Sequence, residues 1–248
     1  MEWQQELLNA QRAARPLIMP EGPLPGAGRV LALAPHPDDP DAVAVILRML
    51  VQGGWEMHWA ILTSSWSGVE DDFVGPSPLA KTRVRQEEQR AAARLFGLPE
   101  ARLTFLNLTE GADGHLLSCA DNHLRYTAYL SAVSPDIVVL PCLADTNPTH
   151  RLNYAWFAAW AATHGRPVLA LGNEDPKTTA FTPDFSILFG EETAVWKGAL
   201  LECHRSQSVR NQHTRQMTFA ERILRVNADS PGLAPGQYAE RFQVARWG

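Results

Sequence analysis

The segment Leu31–Val45, LALAPHPDDPDAVAV, places one imidazole and two carboxylates (His36, Asp38 and Asp39) within four positions at the end of an apolar run. Three polar groups there cost desolvation unless something pairs them. A metal ion would do so. His150 stands where a second apolar run gives way to a helix, in PCLADTNPTHR. His36, Asp39 and His150 together make a set of two imidazoles and one carboxylate that leaves a fourth position for water, the pattern of catalytic zinc. Such an ion lowers the pKa of bound water to about 7. Asp38, next to a ligand but free of the metal, is placed to take the water's proton. Helix capping by Asp38 or Asp39, with His36 a hydrogen-bonded core histidine, accounts for the same spacing, so these residues alone leave both readings open.

Elements able to position such groups alternate along the chain. Strand-like runs are RVLALA (29–34), MHWAILT (57–63), RLTFL (102–106), DIVVLP (136–141) and RPVLALG (166–172). Between them lie helix-like runs: PDAVAVILRMLVQGG (40–54), LAKTRVRQEEQRAAARLFGL (79–98), NHLRYTAYLSAV (122–133) and HRLNYAWFAAWAATHG (150–165). The helix over 79–98 is rich in strong helix formers and ends at Gly97. The alternation predicts a Rossmann-like α/β fold, a mostly parallel sheet with helices on both faces. Ligands bind such sheets outside the carboxyl ends of the strands, where both polar loops fall. With no repeat or linker in view, residues 1–248 read as one domain. Its core runs from about 29 to 207, and the polar, turn-rich segment 208–248 (SPGLAPGQ) is expected to be a peripheral extension.

Composition narrows the function classes. The 248 residues carry 45% hydrophobic and 20% charged residues and a formal net charge of −5, which argues against a nucleic-acid or anionic-membrane binder. No apolar run approaches the roughly 20 residues of a membrane span. The opening MEWQQELLNAQRAARPL reads as a short amphipathic helix rather than a signal peptide. Cys119, Cys142 and Cys203 have no paired spacing, so neither a zinc finger nor a disulfide framework is expected. A cytoplasmic protein is the simplest expectation. A nucleotide-binding Rossmann domain is disfavoured, because no Gly-x-Gly-x-x-Gly turn follows RVLALA.

Five segments, in order, resemble the PIG-L/LmbE-like zinc N-deacetylases. APHPDDPD is similar to that family's Ala-His-Pro-Asp-Asp-Glu signature, LTSSWSG to its Thr-x-Gly loop and RQEEQRAAARLFGL to its Arg-x-x-Glu helix. NPTHR falls at its His-Pro-Asp-His, and WKGALLECHRSQ at its Lys-x-x-Ala-Leu…His-x-Ser-Gln. The resemblance spans roughly Arg29 to Gln207. It implies His36, Asp39 and His150 as ligands of one zinc ion, with iron or another divalent metal as alternatives, and Asp38 as general base. It further implies substrate contacts from Arg85 and His204, with a solvated helix face for Arg85 and a dipole-stabilised histidine for His204 as the alternatives. Glu88 reads as structural. The implied reaction is removal of an N-acetyl group from a small-molecule amino sugar or its conjugate.

Three departures stand out. Pro40 replaces the Glu after the second Asp, with Asp41 one position later. Asn147 replaces the first His of His-Pro-Asp-His, and Thr149 its Asp. Asn147 can donate a hydrogen bond to an oxyanion but cannot shuttle a proton. A metal-binding member with weakened or absent activity is therefore the competing expectation. Asp145 is near enough in sequence to supply the missing acid.

Trp66, in SSWSGVEDDF, offers a stacking platform for a sugar if exposed, or packs under its own loop. Trp55, Trp59, Trp156, Trp160 and Trp196 sit at apolar positions expected in the core. GADGH (111–115) could bring Asp113 or His115 to the rim. The Trp-rich helix NYAWFAAWAA reads as core, with a homo-oligomer interface as the alternative.

Overall fold

The computed structural model describes residues 2–230 and 232–248. Eight strands form one sheet: β1 (Leu17–Pro20), β2 (Arg29–Ala34), β3 (Glu56–Ile61), β4 (Leu103–Phe105), β5 (Ile137–Pro141), β6 (Val168–Asn173), β7 (Phe185–Phe189) and β8 (Tyr238–Trp247). Around it pack α1 (Glu2–Arg12), α2 (Asp39–Ala42), α3 (Ala44–Gln52), α4 (Asp71–Val74), α5 (Pro78–Phe96), α6 (Ala120–Val133), α7 (Pro148–Ala161), α8 (Glu191–Glu202), α9 (Arg205–Arg215) and α10 (Phe219–Ala228). The strand order is β1-β7-β8-β6-β5-β2-β3-β4. Every pairing is parallel except those of β8 with β6 and β7.

From β2 the chain winds outward through β3 and β4 on one side, and from β5 to β6 on the other. The order reverses between β2 and β5, and a crevice opens at their carboxyl ends, the usual ligand position in such sheets. Strand alternation explains why β2 is apolar throughout. Val30, Ala32 and Ala34 join the core built with α3, Trp55 and Trp59. Leu31 and Leu33 face the other way and join Tyr126 of α6 and Trp156, Phe157 and Trp160 of α7. A parallel strand covered on both faces has no polar side. Trp55, Trp59, Trp156 and Trp160 are buried as expected. Trp196 is half-buried beneath the Arg48 guanidinium, 4.0 Å from its ring centroid.

Two expectations change. The helix predicted over 40–54 breaks at Val43 into α2 and α3. Two of the orphan donors at the start of α3 are met from outside: Val45 and Ile46 donate backbone N–H bonds to the Glu240 carboxylate at 3.0 and 2.9 Å. Segment 208–248 is no peripheral extension either. It supplies most of α9, all of α10, and β8, which lies inside the sheet between β6 and β7. The turn residues 232–237 mark a return into the sheet rather than the end of the fold. Tyr238–Trp247 then buries alternate positions along most of its length.

Glu240 also anchors a buried ion pair. Lys197 of α8 donates to Glu240 Oε1 at 2.8 Å and to Asn227 Oδ1 at 2.7 Å. Burial pushes the Lys197 ammonium down from its ordinary range, against the pull of Glu240. Removing one partner of such a pair strands the other charge. Lys197→Met is expected to cost about 3–5 kcal/mol, read as a lowered urea midpoint in equilibrium unfolding.

Candidate active site

Beyond Ala34 the chain turns sharply through Pro35-His36-Pro37-Asp38 into α2. Asp38 adopts φ 98°, a backbone region that disfavours side chains. The turn is clamped by α5. Gln89 Oε1 accepts the Asp38 N–H at 2.8 Å, while Arg85 donates to the Pro37 carbonyl and, at 3.1 Å, to Asp38 Oδ2. Gln89 also donates to Asp41 Oδ2 at 3.0 Å. Burial raises the Asp41 carboxyl, opposed by His204 and Gln89.

His36 Nδ1 and His150 Nε2 lie 3.2 Å apart. Asp39 Oδ2 is 3.4 Å from His36 Nδ1, and Asp39 Oδ1 is 3.7 Å from His150 Nε2. A tetrahedral ion with donors at about 2.0–2.1 Å separates them by about 3.3–3.4 Å; one donor atom from each of the three residues lies within 4.8 Å of the others, so the set is able to close on one such ion. The chemistry of the donors fits as well. Asp145 Oδ2 accepts from His150 Nδ1 at 2.8 Å, which leaves the Nε2 lone pair free for a metal. Burial pushes the His36 imidazolium down despite Asp39, favouring the neutral ligand form. Burial opposes ionisation of Asp39, but His150 and His36 outweigh it and hold the carboxyl below its usual range. Burial likewise disfavours charge on His150, yet Asp39 and Asp145 together draw its pKa up, so a proton competes with a metal there.

Asp145 takes over a task that the replaced acid at Thr149 leaves open. Its Oδ1 accepts the Asn147 N–H at 2.6 Å while its Oδ2 holds His150. Asn147 caps α7, its Oδ1 accepting the Thr149 N–H at 2.9 Å. That bond directs the amide's Nδ2 donors elsewhere. Thr149 Oγ1 accepts the Leu116 N–H at 3.0 Å and lies 3.4 Å from His115 Nδ1.

A cavity of about 380 Å³ opens over these groups, with His36, Asp38, Asp39, Arg85 and Asn147 in its wall. Asp113 and His115, which the 111–115 segment could bring to the rim, line it too. His150 lies beneath, fully buried. Two residues expected to contact substrate lie outside the cavity wall. His204 is fully buried behind the turn, its Nε2 2.8 Å from Asp41 Oδ2, because α9 begins there and packs over it. Trp66 is half-buried on a single turn whose Ser65, Ser67 and Gly68 reach the cavity while Trp66 does not. Arg85 does line the cavity, yet its hydrogen bonds run to the turn it supports, and it is almost wholly buried rather than on a solvated face. Glu88 is structural: it accepts from Ser206 N and Oγ at 2.6 and 2.7 Å.

Sequence reasoning missed Asp175 and Lys177 after β6, and Arg210, Asn211, Arg215 and Arg222 of α9 and α10, all in the cavity wall. The available signal was charge: residues 205–225 hold five arginines and one glutamate. Removing the Asp145 carboxylate (Asp145→Ala) is expected to weaken metal binding about 10–100-fold, measured by competition with a chromogenic chelator, with helix content by circular dichroism unchanged.

The profile of the PIG-L family, described as GlcNAc-PI de-N-acetylase, matches residues 31–161. No curated protein matches the chain. Among solved structures, the N,N'-diacetylchitobiose deacetylase of Pyrococcus horikoshii aligns with a TM-score of 0.70 at 17% identity, over 88% of this chain and 83% of that one. A deacetylase from the biosynthesis pathway of teicoplanin aligns at 0.63 and 14% identity, over 88% and 98%. GalB, the 4-carboxy-2-hydroxymuconate hydratase of Pseudomonas putida KT2440, aligns at 0.60 and 20%, over 88% and 95%. At these identities the likeness is one of fold.

Proposed function

The chain belongs to the PIG-L family, and we propose that it is a metal-dependent hydrolase that removes an N-acetyl or other N-acyl group from an amino sugar or amino-sugar conjugate. One observation carries this reading. His36, Asp39 and His150 converge as a donor set able to hold a metal ion, and Asp38 stands beside them in the same cavity wall without joining the set.

Zinc suits two imidazoles and a carboxylate, and iron or another divalent ion is compatible with the same donors. The ion would supply an activated water at neutral pH and polarise the acyl oxygen. The remaining work falls to side chains. Asp38, oriented by Arg85, accepts the proton of the attacking water. Asn147, held by its cap bond, offers Nδ2 to the developing oxyanion. Asp38 then returns its proton to the leaving nitrogen as the amide C–N bond breaks, so acetate and a free amine result. Asp145 keeps His150 in the tautomer that presents Nε2.

Among the described residues no helix is long and apolar enough to cross a membrane, and Cys119, Cys142 and Cys203 are unpaired. The proposal has the enzyme act on a small molecule in the cytoplasm, where thiols are kept reduced. The competing reading, a metal-binding member with little or no turnover, is favoured by Asn147, which cannot relay a proton.

Elemental mass spectrometry on wild type and Asp39→Ala is expected to find near-stoichiometric metal only in the former. Acetate release from N-acetylated sugars should fall about 10²–10⁴-fold in Asp38→Asn, with metal content retained. An inactive wild type that gains activity as Asn147→His would instead support the competing reading, and absence of metal even after reconstitution would defeat both.

A further inference from the structure

In a protein of net charge −5, the segment 205–225 is strongly basic. α9 and α10 bring three of its arginines, Arg210, Arg215 and Arg222, to the wall of the same cavity that His36 and Asp39 line, and Lys177 joins them. Among the described residues none of these four side chains has a carboxylate within ion-pair distance, although arginines elsewhere on the surface do. The acids whose charge acts on Arg210 and Arg222 have other hydrogen-bond partners. Glu70 is bound to His213 at 2.5 Å, Asp38 to Arg85 at 3.1 Å, and Asp175 Oδ1 accepts the Lys177 N–H at 2.8 Å.

The cluster is built rather than incidental. Gln207 donates to the Gly68 carbonyl at 3.0 Å and Glu88 holds the first turn of α9, so the helix is locked onto the cavity wall. A Cβ at Gly68 would come within 3.1 Å of Arg210 Nη1, so the guanidinium lies against that backbone. Asn211, only 4% exposed, donates to the Gln207 carbonyl at 2.8 Å and leaves its Oδ1 buried without a partner. Arg85, 1% exposed, leaves Nε and Nη1 without hydrogen bonds, Nη1 facing Glu88 Oε2 at 3.6 Å. Desolvation and then the like charge of Arg215 disfavour the cationic form of both Arg210 and Arg222. Asp38, Asp39, Asp113 and Asp175 share the cavity wall, but among the described residues none lies within ion-pair distance of Arg210, Arg215 or Arg222. These gathered guanidiniums, beside a buried acceptor with no donor, describe a site for an anion that also carries a hydroxyl.

We infer that α9 and α10 form an anion subsite, and that the substrate carries a phosphate or carboxylate group held by Arg210, Arg215 and Arg222, with a hydroxyl donating to Asn211 Oδ1. This deepens the hydrolase reading and rests on it for the identity of the reaction, but anion binding is measurable without turnover.

The test is calorimetric titration of the metal-loaded protein with glucosamine, glucosamine 6-phosphate and muramic acid, amines that differ in their acidic group. Wild type is expected to bind at least one of the acidic sugars about tenfold or more tighter than glucosamine, with the preference weakening in added salt. Whichever acid is preferred identifies the group. The double variant Arg210→Gln/Arg222→Gln should lose the preference, while the exposed control Arg225→Gln keeps it, with thermal unfolding of both variants matching wild type. Equal binding of all three sugars, no binding of any, or a preference that survives in the double variant would overturn the subsite. Acetate release from the matching N-acetyl sugars is read in parallel. A preference without release sinks the hydrolase and leaves the subsite, and release without a preference does the reverse.

Discussion

A single left-handed residue holds this site together. His36 and Asp39 can point at one spot with His150 only because the chain reverses at Asp38, whose φ of 98° is unfavourable for any residue with a Cβ. Such a conformation costs about 1–3 kcal/mol and persists only where its surroundings over-determine it. Here they do. Its N–H is held by Gln89, its carboxylate and the preceding carbonyl by Arg85, and the next acid, Asp41, by both Gln89 and His204. The strained residue is also the proposed base, so the contacts that stabilise the turn are those that aim its carboxylate.

The second constraint is the ordering of His150. A buried imidazole between two aspartates could take up a proton instead of a metal. Asp145 decides the tautomer, and it also receives the N–H of Asn147, so one carboxylate orders both the inner ligand and the residue that replaces a histidine. That arrangement accommodates Thr149 without loss of the acid's supporting role. The proton-carrying role of the replaced histidine has no such substitute at position 147, since an amide carries no titratable proton.

The carboxyl-terminal segment ties the sheet to the cavity. β8 fills the gap between β6 and β7, and its Glu240 reaches across to start α3, the helix that follows the metal-ligand turn. α9 and α10 then wall the cavity with cations. The stability of the sheet, the entry of the chain into α3 and the charge of the cavity are thus coupled through the one stretch that runs from α9 to β8. GalB and the two deacetylases share the fold under different names, in keeping with sites that differ on a common frame.

Local chemistry was legible in the sequence. Apolar runs gave β2, β3, β5 and β6, helix formers and Gly97 gave α5, and the spacing of His36 and Asp39, with His150 after a later strand, gave the candidate donor set that the fold brings together. These depend on periodicity and on turns within a few residues. What only the tertiary structure decided depends on contacts between segments far apart in the chain. His204 matches a motif yet is sealed behind Asp41, because motif order says nothing of depth. Trp66 sits in the right loop but on the wrong side of its turn. Tyr238–Trp247 reads as a tail because its partners, β6 and β7, lie far earlier in the chain, before α8, α9 and α10. The arginines of α9 and α10 read as solvated charge until the fold sets them around a shared cavity, since whether a cation is paired is a property of its neighbours in space.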